Sequence, residues 1–287
     1  MSNENKLNRV ALLNLVRMCL AEDVGSGDAT TLATVPENVV VTALMVTRDE
    51  CVCAGLPVAE TVFSELDPEC AFSPQVQEGE FCPAGTVIAK IEGKAQAVLT
   101  GERLALNFMQ RLCGIATMAN TYAREVEGTK TQILDTRKTT PGLRHLEKYA
   151  VAVGGAANHR IGLYDRVMIK DNHRALASLE GEGGITRSVE RCRAMYPELE
   201  VEVEADTMDE VKEAVEAGAE YVLLDNMSDA QMAEAVRFTD GRSLLEASGG
   251  ITIERLKSIA ETGVDFISVG ALTHSVISTD IGLDIKL

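Results

Sequence analysis

The residues best suited to chemistry in this chain lie together between positions 134 and 174. The whole chain is acidic, with 44 Asp+Glu against 27 Lys+Arg, but this segment reverses the balance. A cationic region in an anionic protein indicates a site for a small anion, because the surrounding field would repel a polyanion such as DNA. Guanidinium groups bind carboxylate or phosphate edges bidentately, so Arg137 and Arg160 suit a planar diacid or a phosphate. The cations of this cationic segment are Arg137, Lys138, Arg144, Lys148, Arg160, Arg166, Lys170 and Arg174.

Composition narrows the class of protein. A chain of 287 residues that is 46% hydrophobic can bury one large core or two smaller ones. The formal net charge of −17 argues against nucleic acid and anionic membranes as partners. The N-terminal sequence MSNENKLNRV lacks the apolar stretch of a signal peptide, and no apolar run approaches the about 20 residues that span a bilayer. We therefore predict neither a nucleic-acid nor a membrane partner.

The cysteines indicate a reducing compartment. There are 7 of them, scattered along the chain without a Cys-x-x-Cys pair. An odd, dispersed set is typical of free thiols and not of a disulfide framework or a zinc site. The sequence thus predicts a cytoplasmic protein with reduced cysteines.

The first part of the chain, to about residue 100, has the pattern of an α+β unit. Its predicted elements are helices over 7–21 and 56–66 and strands over 39–48 and 85–92. A helical pattern then continues over 97–127, and Gly114 is expected to break it.

The second half alternates short apolar runs with helical stretches. Such alternation predicts a parallel sheet with right-handed crossovers. The strands number fewer than those of a complete α/β barrel, so we predict an incomplete or distorted barrel. The apolar runs are 131–135, 166–170, 199–204, 221–225, 243–247 and 265–269.

Charged residues close most of these predicted strands. In a barrel of parallel strands the active site lies at the C-terminal strand ends, so these side chains would converge on one face. For a single residue, the charge could equally mark the exit of the chain into solvent. Their mixed sign and regular placement together favour a site. The residues are Asp135, Lys170, Glu204, Asp225 and Glu246.

Glu204 and Asp225 are hard oxygen donors on neighbouring strands, which suits Mg²⁺ held by carboxylates and substrate phosphates. The alternative is a pair of solvated carboxylates. Glu202 would share a face with Glu204, and we prefer Glu204 because it is nearer the strand end. Lys170 could meet a phosphate, form a Schiff base or reach solvent.

Two further signals concern anions. Ser248, Gly249 and Gly250 lie between a strand and a helix, where backbone amides can bind phosphate; Gly270 follows the last strand. The alternative is an ordinary tight turn. An isolated histidine is usually structural, but the position of His159 beside an arginine favours a ligand contact.

These motifs resemble those of the quinolinate phosphoribosyltransferase family, the carboxylating nicotinate-nucleotide pyrophosphorylases. The matches stay in order along nearly the whole chain. One departure is Ala156, where many members have a third glycine. The matching stretches are DVGSGDATT (23–31), GERLALNFMQRLCGIAT (101–117), LDTRKTTPGLRHLEKYAV (134–151), GGAANHRIGLYDRVMIKDNH (154–173), EVEADT (202–207), LLDNM (223–227), EASGGI (246–251) and ISVGALTHS (267–275).

The resemblance implies an α/β protein of two domains. An N-terminal α/β sandwich domain over 1–112, rejoined by the tail 273–287, would accompany an incomplete, open α/β barrel domain over 113–272. It also implies a homodimer or higher homo-oligomer with shared active sites. The implied reaction joins quinolinate and phosphoribosyl pyrophosphate, with Mg²⁺, to give nicotinate mononucleotide, pyrophosphate and CO₂ in NAD biosynthesis.

The resemblance also assigns roles to single residues. Arg137, His159 and Arg160 would bind the quinolinate carboxylates, joined by Arg103 of the partner subunit. Lys138 and Lys170 would meet quinolinate or the phosphates, and Glu204 and Asp225 would hold Mg²⁺ and the ribose–pyrophosphate. The residues that would bind the 5′-phosphate are Ser248, Gly249, Gly250 and Gly270.

Three alternatives stay open from the sequence. One is a sister enzyme of the superfamily, such as the homologue found with molybdenum transport; the arginine set for two carboxylates favours a diacid instead. A second is a Schiff-base lyase that uses Lys170. A third is a sensor of phosphorylated sugars, against which the metal-ready pair Glu204 and Asp225 argues.

Overall fold

The computed structural model describes residues 7–286. The polar N-terminal segment considered above lies partly outside the described residues, as does the last residue of the predicted C-terminal tail. Within them, the chain forms two compact units. The first unit comprises the chain up to Asn120, Thr140–Gly155 and the chain from Leu272 onwards. The second comprises Thr121–Thr139 and Ala156–Ala271. The predicted boundary after residue 112 stays a prediction.

Helices and strands alternate through most of the chain. In chain order the helices are α1 (Arg9–Val24), α2 (Ala29–Thr34), α3 (Leu56–Leu66), α4 (Ala95–Glu125), α5 (Arg144–Val153), α6 (Asp171–Ala177), α7 (Gly184–Met195), α8 (Met208–Glu216), α9 (Asp229–Thr239), α10 (Leu256–Glu261) and α11 (Ala271–His274). The strands are β1 (Val40–Thr47), β2 (Cys51–Val52), β3 (Ala71–Pro74), β4 (Phe81–Cys82), β5 (Val87–Lys94), β6 (Gln132–Leu134), β7 (Val167–Ile169), β8 (Val201–Ala205), β9 (Tyr221–Asp225), β10 (Leu244–Ser248), β11 (Phe266–Ser268) and β12 (Ile281–Lys286). No helix among residues 7–286 is both long and apolar enough to cross a membrane.

The first unit contains an antiparallel sheet with the strand order β12-β1-β5-β3. The C-terminal strand β12 pairs along β1, so the end of the chain completes the sheet that begins near its start. The predicted helix over 56–66 is confirmed as α3, and Pro57 in its first turn suits a helix start. The Glu78 carboxylate accepts hydrogen bonds from the main-chain N–H groups of Gly55 and Leu56, which satisfies donors that the helix start leaves open.

The expected break at Gly114 is wrong, because α4 runs unbroken for 31 residues. An isolated glycine costs a helix only about 1 kcal/mol, and the surrounding residues are good helix formers. The glycine has a packing role instead. A Cβ atom at this position would collide with the main-chain oxygen of Ile277, which belongs to the same compact unit. Gly114 therefore permits the C-terminal segment to pass close to the helix.

The second unit confirms the predicted parallel sheet. Its strands have the order β6-β11-β10-β9-β8-β7, and each neighbouring pair runs parallel. Each predicted apolar run of the second half overlaps one of these strands, and β8 and β10 each extend one residue beyond the predicted run. In the described part of the chain, β6 and β7 form the two edges, so the sheet is open, as expected for an incomplete barrel.

Replacing Gly114 by alanine should destabilise the protein although alanine is the better helix former. The new Cβ meets a main-chain oxygen, which cannot move aside as a side chain can. We expect a loss of about 1–3 kcal/mol in the free energy of unfolding, measured by urea denaturation. Gly101→Ala in the same helix is the matched comparison, because its Cβ would meet only side-chain atoms of Leu66 and Phe63. Equal or greater stability of Gly114→Ala would contradict this packing role.

Candidate active site

The C-terminal ends of the parallel strands place charged side chains at one edge of the second unit's sheet. Asp225 ends β9 and is the direct neighbour of Ser248 at the end of β10. Glu204 lies one residue before the end of β8, and Lys170 follows β7, which pairs with β8. The structure therefore brings together strand ends that are far apart in the sequence.

A group of acidic side chains occupies this edge, and we call Glu204, Asp206 and Asp225 the strand-end carboxylates. Burial raises the pKa of Asp225, and the negative charges of Glu204 and Asp206 raise it further. The nearby Lys170 and the Asn226 amide oppose this rise. Lys170 Nζ lies 2.6 Å from Glu204 Oε2. A surplus of negative charge remains, and it suits a divalent cation.

Arg174 supports the strand-end carboxylates from α6. One guanidinium nitrogen donates to the main-chain oxygen of Glu204 at 2.9 Å, and the group also pairs with Asp206 and with Glu210 on α8. Neither Arg174 nor Asp206 was assigned a role from the sequence. The signal for Asp206 was its position directly after β8. Arg174 lay within the cationic segment, but nothing in its spacing indicated its partners.

The turn after β10 requires glycine. Gly249 has φ 93° and Gly250 has φ 56°, a region that other residues rarely adopt. A Cβ atom on Gly249 would also collide with the side chain of Asn226. Asn226 is held beside the turn because its main-chain N–H donates to the Ser248 oxygen at 3.0 Å. Apart from its chain neighbours, no atom of residues 7–286 lies within 4 Å of the corresponding position on Gly250. The main chain is thus open to a close approach by an anion. Gly270 lies two residues after the end of β11.

Arg160 is a buried cation whose two terminal nitrogens both donate to protein atoms. One donates to the Arg166 oxygen at 3.0 Å and the other to Met168 Sδ at 3.5 Å, while its buried Nε lacks a hydrogen-bond partner among residues 7–286. Burial lowers the pKa of Arg160, and so does the positive charge of Arg137. Two guanidinium groups close enough to repel each other, with one donor still open, are well suited to bind an anion.

The main chain before Arg160 is held by Asp135, which follows β6 and is fully buried. Its carboxylate accepts from the His159 main-chain N–H at 2.8 Å and from the Asn158 side chain at 2.8 Å. Asp135 therefore serves as an anchor within the second unit.

His159 is buried, and both of its ring nitrogens face protein groups. Nδ1 accepts from the Arg160 main-chain N–H at 2.7 Å. Nε2 lies 3.0 Å from Glu202 Oε2 and 3.4 Å from Glu246 Oε2. Burial alone lowers the pKa of His159, but these two carboxylates raise it above its usual value. The two carboxylates thus favour a protonated ring, whereas a hydrogen on Nδ1 would have to displace the Arg160 N–H. Both arguments place a hydrogen on Nε2.

From the sequence, Glu204 was preferred to Glu202 because it is nearer the strand end. The structure buries Glu202 completely and places it against His159. Burial raises the pKa of Glu202, but His159, Arg166 and Arg160 together hold it below the usual value. For Glu246, burial and the neighbouring Glu202 raise the pKa. A carboxylate in the middle of an apolar strand was the available signal, because a buried charge needs a partner.

Two of the cations that were predicted to bind ligands, Lys138 and Arg103, have exposed side chains. Lys138 is exposed near Arg137 in the loop after β6. Arg103 is exposed on α4 in the first unit. The expected contribution of Arg103 to the active site of a partner subunit stays a prediction.

Family models now define the relationship. The model described as "Quinolinate phosphoribosyl transferase, N-terminal domain" matches residues 28–113, and the model of the C-terminal domain matches residues 115–284. The chain belongs to the quinolinate phosphoribosyl transferase family. Among relatives, the probable nicotinate-nucleotide pyrophosphorylase [carboxylating] of Bacillus subtilis is 41% identical, over 98% of this chain and 96% of that protein. The Mycobacterium leprae enzyme is 42% identical, over 96% and 97%.

Solved structures of the family share the fold. The nicotinate-nucleotide pyrophosphorylase from Francisella tularensis superposes with a TM-score of 0.92 at 38% identity and covers 100% of both chains. NadC from Streptococcus pyogenes superposes with a TM-score of 0.92 at 36% identity and covers 98% of this chain and 99% of that chain. The resemblance expected from the motifs and the predicted fold class are both confirmed.

Proposed function

We propose that this chain transfers the phosphoribosyl group of phosphoribosyl pyrophosphate to quinolinate with decarboxylation. The products are nicotinate mononucleotide, pyrophosphate and CO₂, a step of de novo NAD biosynthesis. The observation that carries the proposal is the closeness of Arg137 to the buried, half-satisfied Arg160 in the family's C-terminal domain. A planar diacid offers one carboxylate to each guanidinium group.

The remaining assignments follow the site geometry. We assign direct carboxylate contacts to Arg137 and Arg160, with His159 beside them. Lys138 and Lys170 would bind the diacid or the phosphates. The open turn of Ser248, Gly249 and Gly250, with Gly270, would bind the 5′-phosphate through main-chain N–H groups.

We also propose Mg²⁺ as the metal, held by Glu204 and Asp225. Burial raises the pKa of Asp225, and repulsion from Glu204 and Asp206 adds to the rise. A hard divalent cation would relieve that repulsion, which supports the proposal. When bound together with the substrate, the metal supplies neutralising charge to the pyrophosphate oxygens.

The residues of the chain supply orientation and charge. Fixed arginines would hold the pyridine nitrogen in line with the ribose carbon that it attacks. As pyrophosphate departs, Lys138 and Lys170 stabilise negative charge on the leaving oxygens, and a nearby carboxylate stabilises positive charge on the ribose carbon. The ring nitrogen becomes cationic and stabilises the electron pair that remains on the ring carbon when CO₂ departs. The ring carbon that lost CO₂ then takes up a proton. No protein nucleophile is required.

We infer a homodimer or larger homo-oligomer in which Arg103 of the partner subunit completes the diacid site. The exposure of Arg103 on α4 is consistent with such a role. All cysteines are free thiols, which supports our proposal of a reducing, cytoplasmic location.

The reaction is tested with purified protein, phosphoribosyl pyrophosphate and Mg²⁺, with quinolinate or nicotinate as the acceptor. We expect CO₂ and mononucleotide from quinolinate and no mononucleotide from nicotinate, because two guanidinium groups require two carboxylates. Arg137→Ala should lose turnover while phosphoribosyl pyrophosphate still binds in calorimetry. Arg191→Ala is the control, since this exposed arginine pairs with Glu180 on the surface. Silence with quinolinate from folded protein would overturn the proposal.

A shared site predicts complementation between inactive subunits. Arg103→Ala and Lys170→Ala should each be inactive alone. A randomly mixed dimer population should recover about a quarter of the wild-type activity, because each heterodimer restores one intact site. The measurement is activity after co-refolding, with heterodimers verified by differential tags. Verified heterodimers without activity would refute the shared site.

Metal binding is tested through thermal stability. Mg²⁺ with pyrophosphate should raise the melting temperature of the wild type, and Asp225→Asn should abolish that rise. Without metal, Asp225→Asn should not lower the melting temperature, because the ionised form of this carboxylate is destabilised in the fold. Asp209→Asn is the matched control, since Asp209 is 92% exposed and pairs with Lys212. An undiminished shift in Asp225→Asn would contradict the metal assignment.

A further inference from the structure

A buried group of three ionisable side chains, His159, Glu202 and Glu246, lies in the second unit beside Arg160. The side chains of Glu202 and Glu246 are 0% and 1% exposed, and that of His159 is 6% exposed. Neither carboxylate has a well-aligned hydrogen bond within the described part of the chain. Buried carboxylates with so few donors are costly, so their presence calls for a physical explanation.

The hydrogen bond at Nδ1 determines what this group can do. Because the Arg160 main-chain N–H points at Nδ1, the Nδ1 lone pair is used and the ring hydrogen resides on Nε2. Nε2 lies 3.0 Å from Glu202 Oε2 and 3.4 Å from Glu246 Oε2, without a well-aligned hydrogen bond to either carboxylate among the described residues. The Nε2 lone pair is therefore not free to bind a metal ion, although the three groups lie close enough together to surround one. The arrangement is instead an N–H-bearing nitrogen in close electrostatic contact with two buried carboxylates.

The same arrangement controls the position of Arg160. The imidazole ring cannot rotate toward another acceptor without breaking its contact with the Arg160 main chain. Asp135 holds the preceding peptide through the His159 N–H at 2.8 Å. The Arg160 main chain is thus fixed by a ring that is itself held by two carboxylates. Glu202 also lies near the positive charges of Arg166 and Arg160, which would otherwise repel each other.

We propose that Glu202 and Glu246 are positioning residues for the substrate carboxylate. They orient His159, and His159 in turn orients Arg160 toward the acid that it binds. The inference rests on the proposed function, because it assigns Arg160 to the quinolinate carboxylate. It adds Glu202 and Glu246 to the residues on which diacid recognition depends, and it gives His159 an indirect role.

The primary test is Glu202→Gln, which preserves volume and removes the charge that faces Nε2. We expect the KM for quinolinate to rise about tenfold or more, as for other residues that orient a ligand-binding side chain. The KM for phosphoribosyl pyrophosphate should stay near the wild-type value. A merely structural defect would instead raise both KM values or lower kcat. Glu200→Gln is the matched control, because Glu200 is exposed and faces the same Arg166 without contacting His159.

A double-mutant cycle tests whether Glu202 acts through His159. The Asn side chain in His159→Asn cannot reach the carboxylates as Nε2 does. If the proposal holds, Glu202→Gln added to His159→Asn produces no further rise in the KM for quinolinate. Multiplicative effects of the two changes would overturn the proposal, because they would show independent action. Glu246→Gln should give a selective rise of the same kind, smaller because Nε2 lies farther from Glu246.

The controls separate this inference from the proposed function. A wild-type enzyme that does not turn over quinolinate would refute the function itself. An active wild type combined with an unchanged quinolinate KM in Glu202→Gln would refute only the positioning role. If Glu202→Gln does not fold, Glu202→Asp retains the charge but withdraws it from His159, and the same selective rise is expected. An unchanged quinolinate KM in Glu202→Asp would then overturn the proposal.

Discussion

Charges of both signs, held together where parallel strands end, are the constraint on which the site depends. Burial and the positive charge of Arg137 lower the pKa of Arg160, and burial and the negative charges of Glu204 and Asp206 raise the pKa of Asp225. Charges of a single sign are therefore unfavourable at both places. Within the second unit each sign is partly balanced by the other, through Lys170 on Glu204 and through Glu202 near Arg160. The balance is incomplete at both places, and for that reason we propose each of them as a binding site.

The fold turns this constraint into a spatial pattern. Because the strands of the second unit all run parallel, their carboxyl ends meet at one edge of the sheet. The proposed phosphate-binding turn and the proposed metal-binding carboxylates lie at the ends of different strands along this edge. The glycine turn after β10 is open to a phosphate because it lacks side chains, and the carboxylates beside it on β9 and β8 carry the charge that a metal would neutralise.

The buried group of His159, Glu202 and Glu246 beside Arg160 also combines charges of both signs. A positively charged side chain that binds a substrate must be oriented before the substrate arrives, or the ordering lowers the affinity. His159 connects Arg160 to the interior of the sheet through two carboxylates. The proposed positioning role would make recognition of the acid depend on residues that the substrate does not touch.

The sequence by itself determined the family and the parallel strands. Its strand-ending charges and glycine turn also supplied most of the site residues that we propose, because these are local patterns. It did not determine that α4 continues through Gly114, since only the approach of Ile277 explains that glycine. Nor did it reveal the partners of Glu202 and Arg174, because these contacts join positions more than 25 residues apart. Side-chain direction and burial decide such contacts, and both are set only when the strands have assembled into a sheet.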